Sequence, residues 1–410
     1  MKITVIGAGL VGLASAHALA AEGHRVTVVD REGPAAGASQ GNAGWLAHTD
    51  IDPIASPKML RRAPGFLLDP LGPLAIRPSY LLPLLPWLTR LVWASRPENL
   101  ARSVESLVEL QRLAMPAWTR LSGDLGLEAL IHRRGGLFVF DDEGAFVRAK
   151  AHFRKQRDLG IACQLLDAAE ARRLEPALSD RIVAAAFFPD AAHVSDPREV
   201  TQALFDAALQ RGVAFQRADI VSLEAGPPAR MATRAGDALT ADRIVLAAGA
   251  WSKPLAASLG DAVPLDTERG YNVSFPGVTG LLARPVSFDG QGFVATPLDS
   301  GLRIGGAVEL GGLSLPPNHA RTRALHAKAT RFLRDVPPFE SGSVWMGFRP
   351  SIPDSLPVIG RARATADVIY AFGHGHYGLT QSAATGALVA DLVAGRTPQI
   401  DLARFSPQRF

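Results

Sequence analysis

The chain has 410 residues, of which 47% are hydrophobic and 20% are charged, a composition typical of a globular protein with two or three compact units. Its net charge of +4 is spread along the sequence without long runs of like charge, which argues against a nucleic-acid partner. The single cysteine, Cys163, excludes an intrachain disulfide, a cysteine-based zinc site and an iron–sulfur cluster, and it fits a reducing, cytoplasmic location.

The N-terminal segment predicts a strand at Lys2–Ile6, a helix over 10–22 and a second strand at Arg25–Asp30. A cleaved leader is the competing interpretation, because Lys2 precedes an apolar run. Three spaced glycines within the run favour a strand, a glycine turn and a helix. The sequence therefore predicts a βαβ unit and a parallel sheet covered by helices.

The segment 60–93 is rich in Leu, Trp and Pro, and six prolines between Pro64 and Pro86 are expected to break any long helix. The sequence has no apolar run long enough to predict a transmembrane helix. Two interpretations remain. The segment forms short helices packed over a domain, or it exposes an apolar surface that contacts a partner or the cytoplasmic face of the inner membrane.

The remaining pattern combines helices with two kinds of sheet. Helices are predicted at 100–121, 143–159, 197–210 and 379–394, and strands at 135–140, 182–188, 213–215, 220–223, 242–247 and 368–372. Closely spaced strands between 269 and 308 predict an antiparallel layer inserted into the α/β part.

Asp196 is expected to cap the helix over 197–210, with Glu199 completing a capping box. His193, Ser195 and Asp196 could also be taken for a catalytic triad, but three near-adjacent residues at a helix start are better explained by capping.

A glycine-rich turn, Gly7-Ala8-Gly9-Leu10-Val11-Gly12, follows the first strand and matches G-x-G-x-x-G. Gly7 permits the tight turn, Gly9 lets a pyrophosphate approach the backbone, and Gly12 lets helix and strand pack closely. The helix N-terminus suits a phosphate. Asp30 ends the second strand at the spacing expected of a ribose-binding carboxylate, and its charge disfavours NADP. The sequence therefore predicts a dinucleotide site.

Small and polar residues over 38–44 favour a flavin dinucleotide over NAD. The elements VIGAGLVG, VVDR, ASQGNAG, LAAGAWS, GFRPSIPDSLPVIG and GHGHYGLTQSAATG occur in this order. Together they resemble the D-amino-acid oxidase superfamily of FAD enzymes, and within it the bacterial D-amino-acid dehydrogenase group. The resemblance covers most of the chain and is weakest between Pro53 and Arg134.

The resemblance implies a glutathione-reductase-like Rossmann FAD-binding domain, α/β in class, interleaved with a substrate domain built on an antiparallel sheet. The FAD-binding domain would comprise 1–50, 190–258 and 340–410, and the substrate domain 51–189 and 259–339. By motif, FAD contacts are expected from Gly7, Gly9, Leu10, Val11, Gly12, Asp30, Arg31, Ser39, Asn42, Ala43, Gly44, Val221, Ala248, Gly249 and Trp251. Some relatives attach the flavin through His or Cys. Asn42 stands where one branch has that His, so noncovalent FAD is expected.

Oxidising an amino acid requires a cation for its carboxylate, and the planar fork of arginine matches a carboxylate. Arg349 aligns with the carboxylate-binding Arg of the family, although it could instead pair with Asp354. Arg269 is the alternative, unless it pairs with Glu268. The hydroxyl of Tyr271 is expected to assist carboxylate binding or to close the site, or Tyr271 is an ordinary strand aromatic.

Backbone N–H groups of the loop 373–378 and of the following helix are expected to stabilise negative charge on the reduced flavin. The residues concerned are Gly375, Gly378, Leu379 and Thr380. A metal pair formed by His374 and His376 lacks accompanying ligands, so His376 is expected to line the site instead, and His48 similarly. The sequence contains no obvious general base.

Three functions are consistent with these features. The leading one is FAD-dependent oxidative deamination of a D-amino acid, including cyclic ones such as D-proline or hydroxyproline, by hydride transfer from Cα to flavin N5. Electrons would then pass to a quinone or another acceptor that is not oxygen. The alternatives are a glycine- or sarcosine-oxidase-like amine oxidase and a noncatalytic flavin-binding subunit of a larger dehydrogenase.

Overall fold

The computed structural model describes residues 1–56, 65–66, 69 and 71–410. Part of the Leu/Trp/Pro-rich segment, including Pro64 and Pro70, lies outside the described residues. The strands are β1 (Lys2–Ile6), β2 (Arg25–Asp30), β3 (Trp45–Leu46), β4 (Leu74–Ile76), β5 (Ile131–His132), β6 (Gly136–Phe140), β7 (Gln164–Asp167), β8 (Ala184–Phe188), β9 (Ala192–Val194), β10 (Ala214–Arg217), β11 (Ile220–Glu224), β12 (Ala229–Thr233), β13 (Ala238–Ala241), β14 (Arg243–Leu246), β15 (Asp266–Pro276), β16 (Val286–Phe288), β17 (Phe293–Leu298), β18 (Gly301–Leu310), β19 (Ser343–Ser351), β20 (Val358–Arg361) and β21 (Val368–Phe372).

The α-helices of the same residues include the five predicted from the sequence and others that its pattern did not indicate. They are α1 (Leu10–Ala21), α2 (Leu81–Ala94), α3 (Pro97–Leu125), α4 (Glu143–Asp158), α5 (Ala168–Leu174), α6 (Pro197–Gln210), α7 (Ser252–Ala257), α8 (Ala320–Phe332) and α9 (Gly378–Ala394). The strand β1, the helix α6 and the strand β21 have the predicted bounds.

The first sheet confirms the predicted α/β layer. Its strand order is β10-β2-β1-β14-β21-β20, and only β20 runs antiparallel to its neighbour. Helices α1, α3 and α9 pack on one face, where the apolar side chains of β1 and β2 are buried. The small antiparallel sheet β11-β12-β13 covers the other face. Both faces are therefore sealed, as a mostly parallel sheet requires.

The second sheet confirms the predicted antiparallel layer and is larger than the sequence indicated. Its path is β19-β15-β18-β17-β16-β6-β8-β7, and β4 pairs with β18. Helix α8 packs on it, and Phe332 joins the stacked pair Phe288 and Phe293 in its core. A third, short sheet, β3-β9-β5, contains the chain that follows the Asn42 loop.

The strand β19 and the helix α3 do not lie in the domains to which the sequence analysis assigned them. The strand β19 pairs with β15 along its length, so it extends the antiparallel sheet although 340–410 was assigned to the FAD-binding domain. The helix α3 packs against α9 of the first unit although 51–189 was assigned to the substrate domain. In both cases tertiary pairing, which no local pattern reports, decides the location.

The expectation that prolines break the helices of 60–93 is wrong for the described part. Helix α2 spans 14 residues and contains Pro86. Pro83 lies in the first helical turn, where a backbone N–H has no intrahelical partner in any case. No helix among the described residues is long and apolar enough to cross a membrane.

The expected N-cap of α6 is confirmed, whereas its capping box is wrong. The Asp196 side chain accepts a hydrogen bond from the Arg198 amide. The Glu199 carboxylate instead accepts from Ser195 Oγ at 2.7 Å. The side chains of Ser195 and Asp196 are engaged in these hydrogen bonds, and His193 is buried against the ring of His132. His193, Ser195 and Asp196 therefore form no triad.

Candidate active site

A cavity of 1110 Å³ extends from the carboxyl ends of β1, β14 and β21 to the face of the antiparallel sheet formed by β15, β18 and β19. Ligands of open α/β sheets bind at this end of the strands. One end of the cavity is bordered by the glycine-rich turn, and the other by Arg349, Asp50 and His376. The two ends differ in chemistry, as a site that holds a cofactor and a substrate requires.

At the glycine-rich end, two positions around the start of α1 leave no room for a side chain. Gly7 has φ +113°, and a Cβ there would lie 2.4 Å from the Ala247 carbonyl oxygen. A Cβ on Gly12 would lie 1.9 Å from the Gly7 oxygen. The helix begins after Gly9 without a side-chain cap from that residue, and Ser39 Oγ accepts from the Leu10 amide at 3.1 Å. The other backbone amides at this helix N-terminus form a cradle for a phosphate.

Asp30 is fixed at the end of β2 by backbone donors. Its carboxylate accepts hydrogen bonds from the amides of Ala8, Glu32 and Gly33 at 2.8 to 2.9 Å. It also lines the cavity. A carboxylate held by three amides keeps its orientation, as the recognition of ribose hydroxyls requires.

The wall next to Asp30 combines stacked and charged side chains. The guanidinium carbon of Arg31 lies 4.0 Å from the centre of the Trp251 ring. Val221, Asp219 and Arg234 complete this wall, and Arg234 forms an ion pair with Asp219 at 2.7 Å. The exposed apolar side chain of Val221 between charged neighbours suits an adenine face.

The central part of the cavity is bordered by the Asn42 loop and by β18 and β19. Arg303 donates to the Asn42 carbonyl at 2.8 Å, and Asn272 donates to the Gly41 carbonyl at 2.6 Å. The ring of Trp345 lies so close to Gly41 that a Cβ there would be 2.4 Å from it. These contacts join the loop of the first unit to the second sheet.

Arg349 extends from β19 over the backbone of β15. Its guanidinium lies against Gly270, where a Cβ would be 2.3 Å from the guanidinium carbon, and its Nη1 donates to the Ala307 carbonyl at 3.0 Å. Burial lowers the pKa of Arg349, and the charge of Glu268 opposes that shift. Because one guanidinium edge is held by the protein, the rest of the planar fork is available to the cavity.

The counter-charge to Arg349 is Glu268, directly opposite it in the β15–β19 pairing. Glu268 is 2% exposed, accepts from Ser351 Oγ at 2.5 Å, and contacts His376 Nε2 at 2.7 Å. Burial disfavours its ionised form, but the charges of His376 and Arg349 and the two hydrogen bonds outweigh burial and lower the pKa of Glu268. The site therefore contains a buried carboxylate beside its arginine.

A second acidic group lies on the opposite part of this wall. Burial, with a contribution from Asp52, raises the pKa of Asp50 to about 7. Gln111 fixes the turn by donating to the Asp50 carbonyl at 3.1 Å, and Tyr377 OH donates to the Asp52 carbonyl at 3.4 Å. Burial and the nearby carboxylates raise the pKa of Tyr377 well above its usual value, so its hydroxyl stays neutral.

Comparison with protein families identifies the family to which this site belongs. The family described as FAD dependent oxidoreductase (DAO) matches residues 2–392. The chain belongs to this family. It is therefore a flavoprotein with FAD as its cofactor.

Two curated relatives are similar over the whole chain. A D-amino-acid oxidase of Bradyrhizobium diazoefficiens is 40% identical over 100% of this chain and 98% of its own length. A D-amino acid dehydrogenase 2 of Ralstonia nicotianae is 34% identical over 100% of both chains.

Solved structures of more distant proteins share the fold. Glycine oxidase from Geobacillus kaustophilus has a TM-score of 0.79 and 23% identity, with 100% of this chain and 99% of that chain covered. L-proline dehydrogenase from P. horikoshii has a TM-score of 0.75 and 22% identity, with 100% and 97% covered. These similarities confirm the predicted architecture.

Most residues proposed for FAD line the cavity of this flavoprotein. They are Gly7, Gly9, Leu10, Val11, Asp30, Arg31, Ser39, Asn42, Ala43, Val221, Ala248, Gly249, Trp251, Gly375, Gly378 and Leu379. The phosphate cradle and the stacked Arg31–Trp251 wall fit an adenine dinucleotide, and the wide central part fits a flavin. The cavity is also lined by residues that were not predicted: Asp219, Arg234, Asn272, Arg303 and Trp345. Of these, only Arg303, the single cation of β18, gave a local signal.

Three of the expected FAD residues lie behind the lining. Gly12 contacts the Gly7 backbone, and Thr380 Oγ1 accepts from the Ala47 amide at 3.0 Å. Gly44 donates its amide to Asn42 Oδ1 at 2.9 Å. Each shapes a segment that does line the cavity, so their contribution is to the backbone of the site.

Arg269 does not line the cavity. It is fully buried and points away from the cavity, where it donates to the carbonyls of Gly311, Gly312, Leu315 and Pro316 and to Glu309. These contacts fix the loop after β18. The sequence could not distinguish it from Arg349, because the face on which each arginine lies depends on strand register.

The expected role of the Tyr271 hydroxyl is also wrong. This hydroxyl donates to Glu309 Oε1 at 3.0 Å and accepts from the Asn318 amide at 3.0 Å, so both of its functions are used inside the protein. Tyr271 lines the cavity, but its hydroxyl supports the same loop as Arg269. It is therefore a structural aromatic of β15.

Two histidines, His376 and His48, were expected to line the reacting end of the cavity, and only His376 does so. His48 does not line the cavity, and its Nδ1 contacts the Leu46 carbonyl at 3.3 Å. His374 is buried, contacts Thr385 Oγ1 at 2.9 Å, and burial lowers its pKa to about 3, so it is neutral. Because His374 and His376 contact different elements, they form no metal pair, and the described residues contain no group of three metal-ligating side chains.

Proposed function

We propose that this flavoprotein oxidises a D-amino acid at its Cα–N bond, giving an imino acid that water converts to a 2-keto acid and ammonia. Both curated relatives carry names of enzymes that act on D-amino acids. The observation that carries the proposal is Arg349, a guanidinium directed into the flavin cavity and held flat on Gly270. A carboxylate is the ligand for which such a fork is built.

FAD, when bound, accepts the hydride that leaves the substrate Cα. The chain itself binds and orients the substrate: Arg349 fixes the carboxylate, and the Phe138, Phe293 and Val308 side chains form an apolar wall nearby. This wall supports an apolar side chain on the substrate, including a cyclic one. The backbone amides of the turn Gly375–Tyr377 and of the start of α9 are proposed to stabilise negative charge on the cofactor.

We propose that the FAD is held without a covalent bond. Cys163 is buried in the cluster around Phe140 and Phe153 and does not line the cavity. Asn42 has an amide where attachment would need a nucleophile, and it is held by the Gly44 amide. Backbone hydrogen bonds and stacking contacts, distributed along the cavity, would then supply the whole binding free energy of FAD.

The test of the proposed function is anaerobic mixing of the yellow protein with D- and L-amino acids. We expect D-amino acids with apolar or cyclic side chains to bleach the flavin absorbance, while their L-enantiomers do not. Bleaching by N-methylglycine without bleaching by D-amino acids would instead favour the amine-oxidase alternative, and no bleaching by any amine would favour a noncatalytic subunit.

We also propose that the electrons pass to a quinone in an anionic membrane. The exposed face of α2 contains Leu81, Leu82, Leu85, Val92 and Trp93. Between residues 71 and 96, the only side chains that are charged at neutral pH are those of arginines. An apolar helix face flanked by cations is the composition that binds an anionic lipid surface.

To test the acceptor, reduced protein is mixed with ubiquinone in phosphatidylglycerol-containing vesicles. We expect quinone reduction, vesicle binding and little hydrogen peroxide in air. The double substitution Leu82→Asp and Trp93→Asp should reduce vesicle binding and quinone reduction about 10-fold while leaving reduction of a water-soluble dye unchanged. Val147→Asp, at an exposed apolar position on α4, is the matched control. Stoichiometric peroxide would contradict the proposal.

A further inference from the structure

His376 lines the cavity, and only one of its two ring nitrogens makes a hydrogen bond among the described residues. His376 lies in the turn Gly375–Tyr377, just before α9, and its side chain is 38% exposed. Its Nε2 lies 2.7 Å from Glu268 Oε2. Because an ionised carboxylate can only accept, Nε2 carries the hydrogen, and in the neutral ring Nδ1 then has the lone pair. Among the described residues, none makes a hydrogen bond to Nδ1.

Glu268 is held firmly enough to fix that tautomer. It is buried in β15, and its second oxygen accepts from Ser351 Oγ at 2.5 Å. With both oxygens engaged, the carboxylate cannot turn away from the imidazole without losing a hydrogen bond. A buried carboxylate bonded to the far nitrogen of a histidine is the arrangement that orients a histidine as a base.

The same carboxylate connects His376 to the arginine of the proposed site. Glu268 faces Arg349 across the β15–β19 pairing and contacts His376, so the imidazole and the guanidinium are its two basic neighbours. In an amino acid the ammonium nitrogen and the carboxylate are attached to the same carbon. A substrate whose carboxylate lies on Arg349 can therefore place its ammonium against the wall that contains His376.

We infer that His376 Nδ1 accepts the proton that the substrate ammonium must lose before hydride leaves Cα, and that Glu268 is the positioning residue for this imidazole. This inference rests on the proposed function. One N–H bond of the ammonium breaks, its electron pair remains on nitrogen as the lone pair, and the proton bonds to Nδ1. Since the imidazole is partly exposed, it can then release the proton to water.

Other ionisable groups also lie along this wall. Arg349 faces Glu268 from β19, and Tyr377 follows His376 in the chain. Asp50 and Asp52 face Tyr377 from the turn after β3. Asp50 is the competing proton acceptor, and it is distinguished from His376 by experiment.

The test uses the FAD-loaded protein and its variant His376→Gln, in which the amide nitrogen can still donate to Glu268 but nothing titrates. Flavin reduction by a D-amino acid is measured from pH 6 to 10. In the wild type, protonation of His376 at low pH removes the acceptor and adds a charge that repels the ammonium, so kcat/KM falls. In the variant we expect kcat/KM to be about 10²-fold lower at neutral pH. That deficit should shrink at alkaline pH, where the free amine is already neutral.

A second readout does not depend on turnover. A D-α-methyl amino acid has no Cα–H and cannot donate hydride, so its binding is followed by the shift of the flavin spectrum. We expect its Kd to rise at acidic pH in the wild type, and we expect this rise to be smaller in His376→Gln, where Asp50 remains as a titrating group of the wall. Glu268→Gln should reproduce the lower kcat/KM, and the double variant should be no worse than the single variants. His319→Gln, at an exposed position before α8, is the matched control.

An unchanged pH profile in His376→Gln, or loss of the acidic limb in Asp50→Asn alone, would overturn the inference. Failure of the proposed function looks different: the wild type itself would then show no flavin reduction with any D-amino acid. Flavin content, measured by absorbance, verifies that each variant has folded around its cofactor.

Discussion

Replacing Arg349 by Leu is expected to lower kcat/KM for a D-amino acid by roughly 10²-fold, mainly through a higher KM, while FAD remains bound. The substitution removes the charge-assisted hydrogen bonds to the substrate carboxylate, and it removes the guanidinium charge that stabilises the buried carboxylate of Glu268. Truncating one member of a buried charge pair costs about 3 kcal/mol, which corresponds to that factor. The measurement is steady-state kinetics beside the visible flavin spectrum.

Gly270→Ala tests the same arginine without deleting it. A Cβ there would lie 2.3 Å from the Arg349 guanidinium carbon, so the guanidinium must move from its place on β15. We expect the KM to rise in Gly270→Ala, as in Arg349→Leu, although the Arg349 guanidinium and its charge are retained. Arg323→Leu, which removes an exposed ion pair with Glu340, should leave KM unchanged. An unaltered KM in Arg349→Leu would remove the carboxylate-binding role.

The cofactor half of the molecule could be predicted from sequence because its signals are local. The strand β1, the glycine turn and Asp30 lie within one short βαβ unit, and the backbone geometry of the turn excludes side chains at fixed positions. A pattern that depends on sterics within a few residues is visible in the sequence itself. The lining residues of this end were therefore largely identified.

The reacting end could be predicted only in part because it is assembled from distant elements. Arg269 and Arg349 look equivalent in the sequence, yet strand register directs one into the loop after β18 and the other into the cavity. Glu268 gave no sign of its role, since its partner His376 is 108 positions away. Pairing between strands supplies this information, and a single sequence does not show it.

The continuous helix α2 could not be predicted from the sequence, for a different reason. Its prolines predicted short, broken helices, yet it is continuous, and its buried side chains Leu84 and Trp87 pack against Leu310 of the antiparallel sheet. Burial of these side chains offsets the loss of a backbone hydrogen bond at Pro86. Local propensity was therefore overridden by packing, while the apolar exposed face that the composition indicated is present.

Replacing Gly12, which does not line the cavity, is also expected to have a large effect, on the binding of FAD and on stability. In Gly12→Ala the new Cβ would lie 1.9 Å from the Gly7 carbonyl oxygen, so α1 must shift away from the glycine turn. Overpacking of this kind costs about 2 kcal/mol. If the shift falls on the phosphate cradle, FAD binds roughly 30-fold more weakly. We expect protein purified with substoichiometric flavin, a lower melting temperature and recovery of colour when FAD is added in excess.

Gly123→Ala is the matched control, because Gly123 also lies inside a helix and a Cβ there would meet only Glu128 Oε1, at 3.6 Å. Alanine is the better helix former, so this variant should keep its flavin and its melting temperature or gain slightly in stability. Flavin content is measured after acid precipitation, which leaves the yellow cofactor in the supernatant if it is held without a covalent bond. Full flavin occupancy in Gly12→Ala would mean that the close contact between α1 and the Gly7 turn does not shape the cradle, and the phosphate would then have to be held by other groups on the cavity wall.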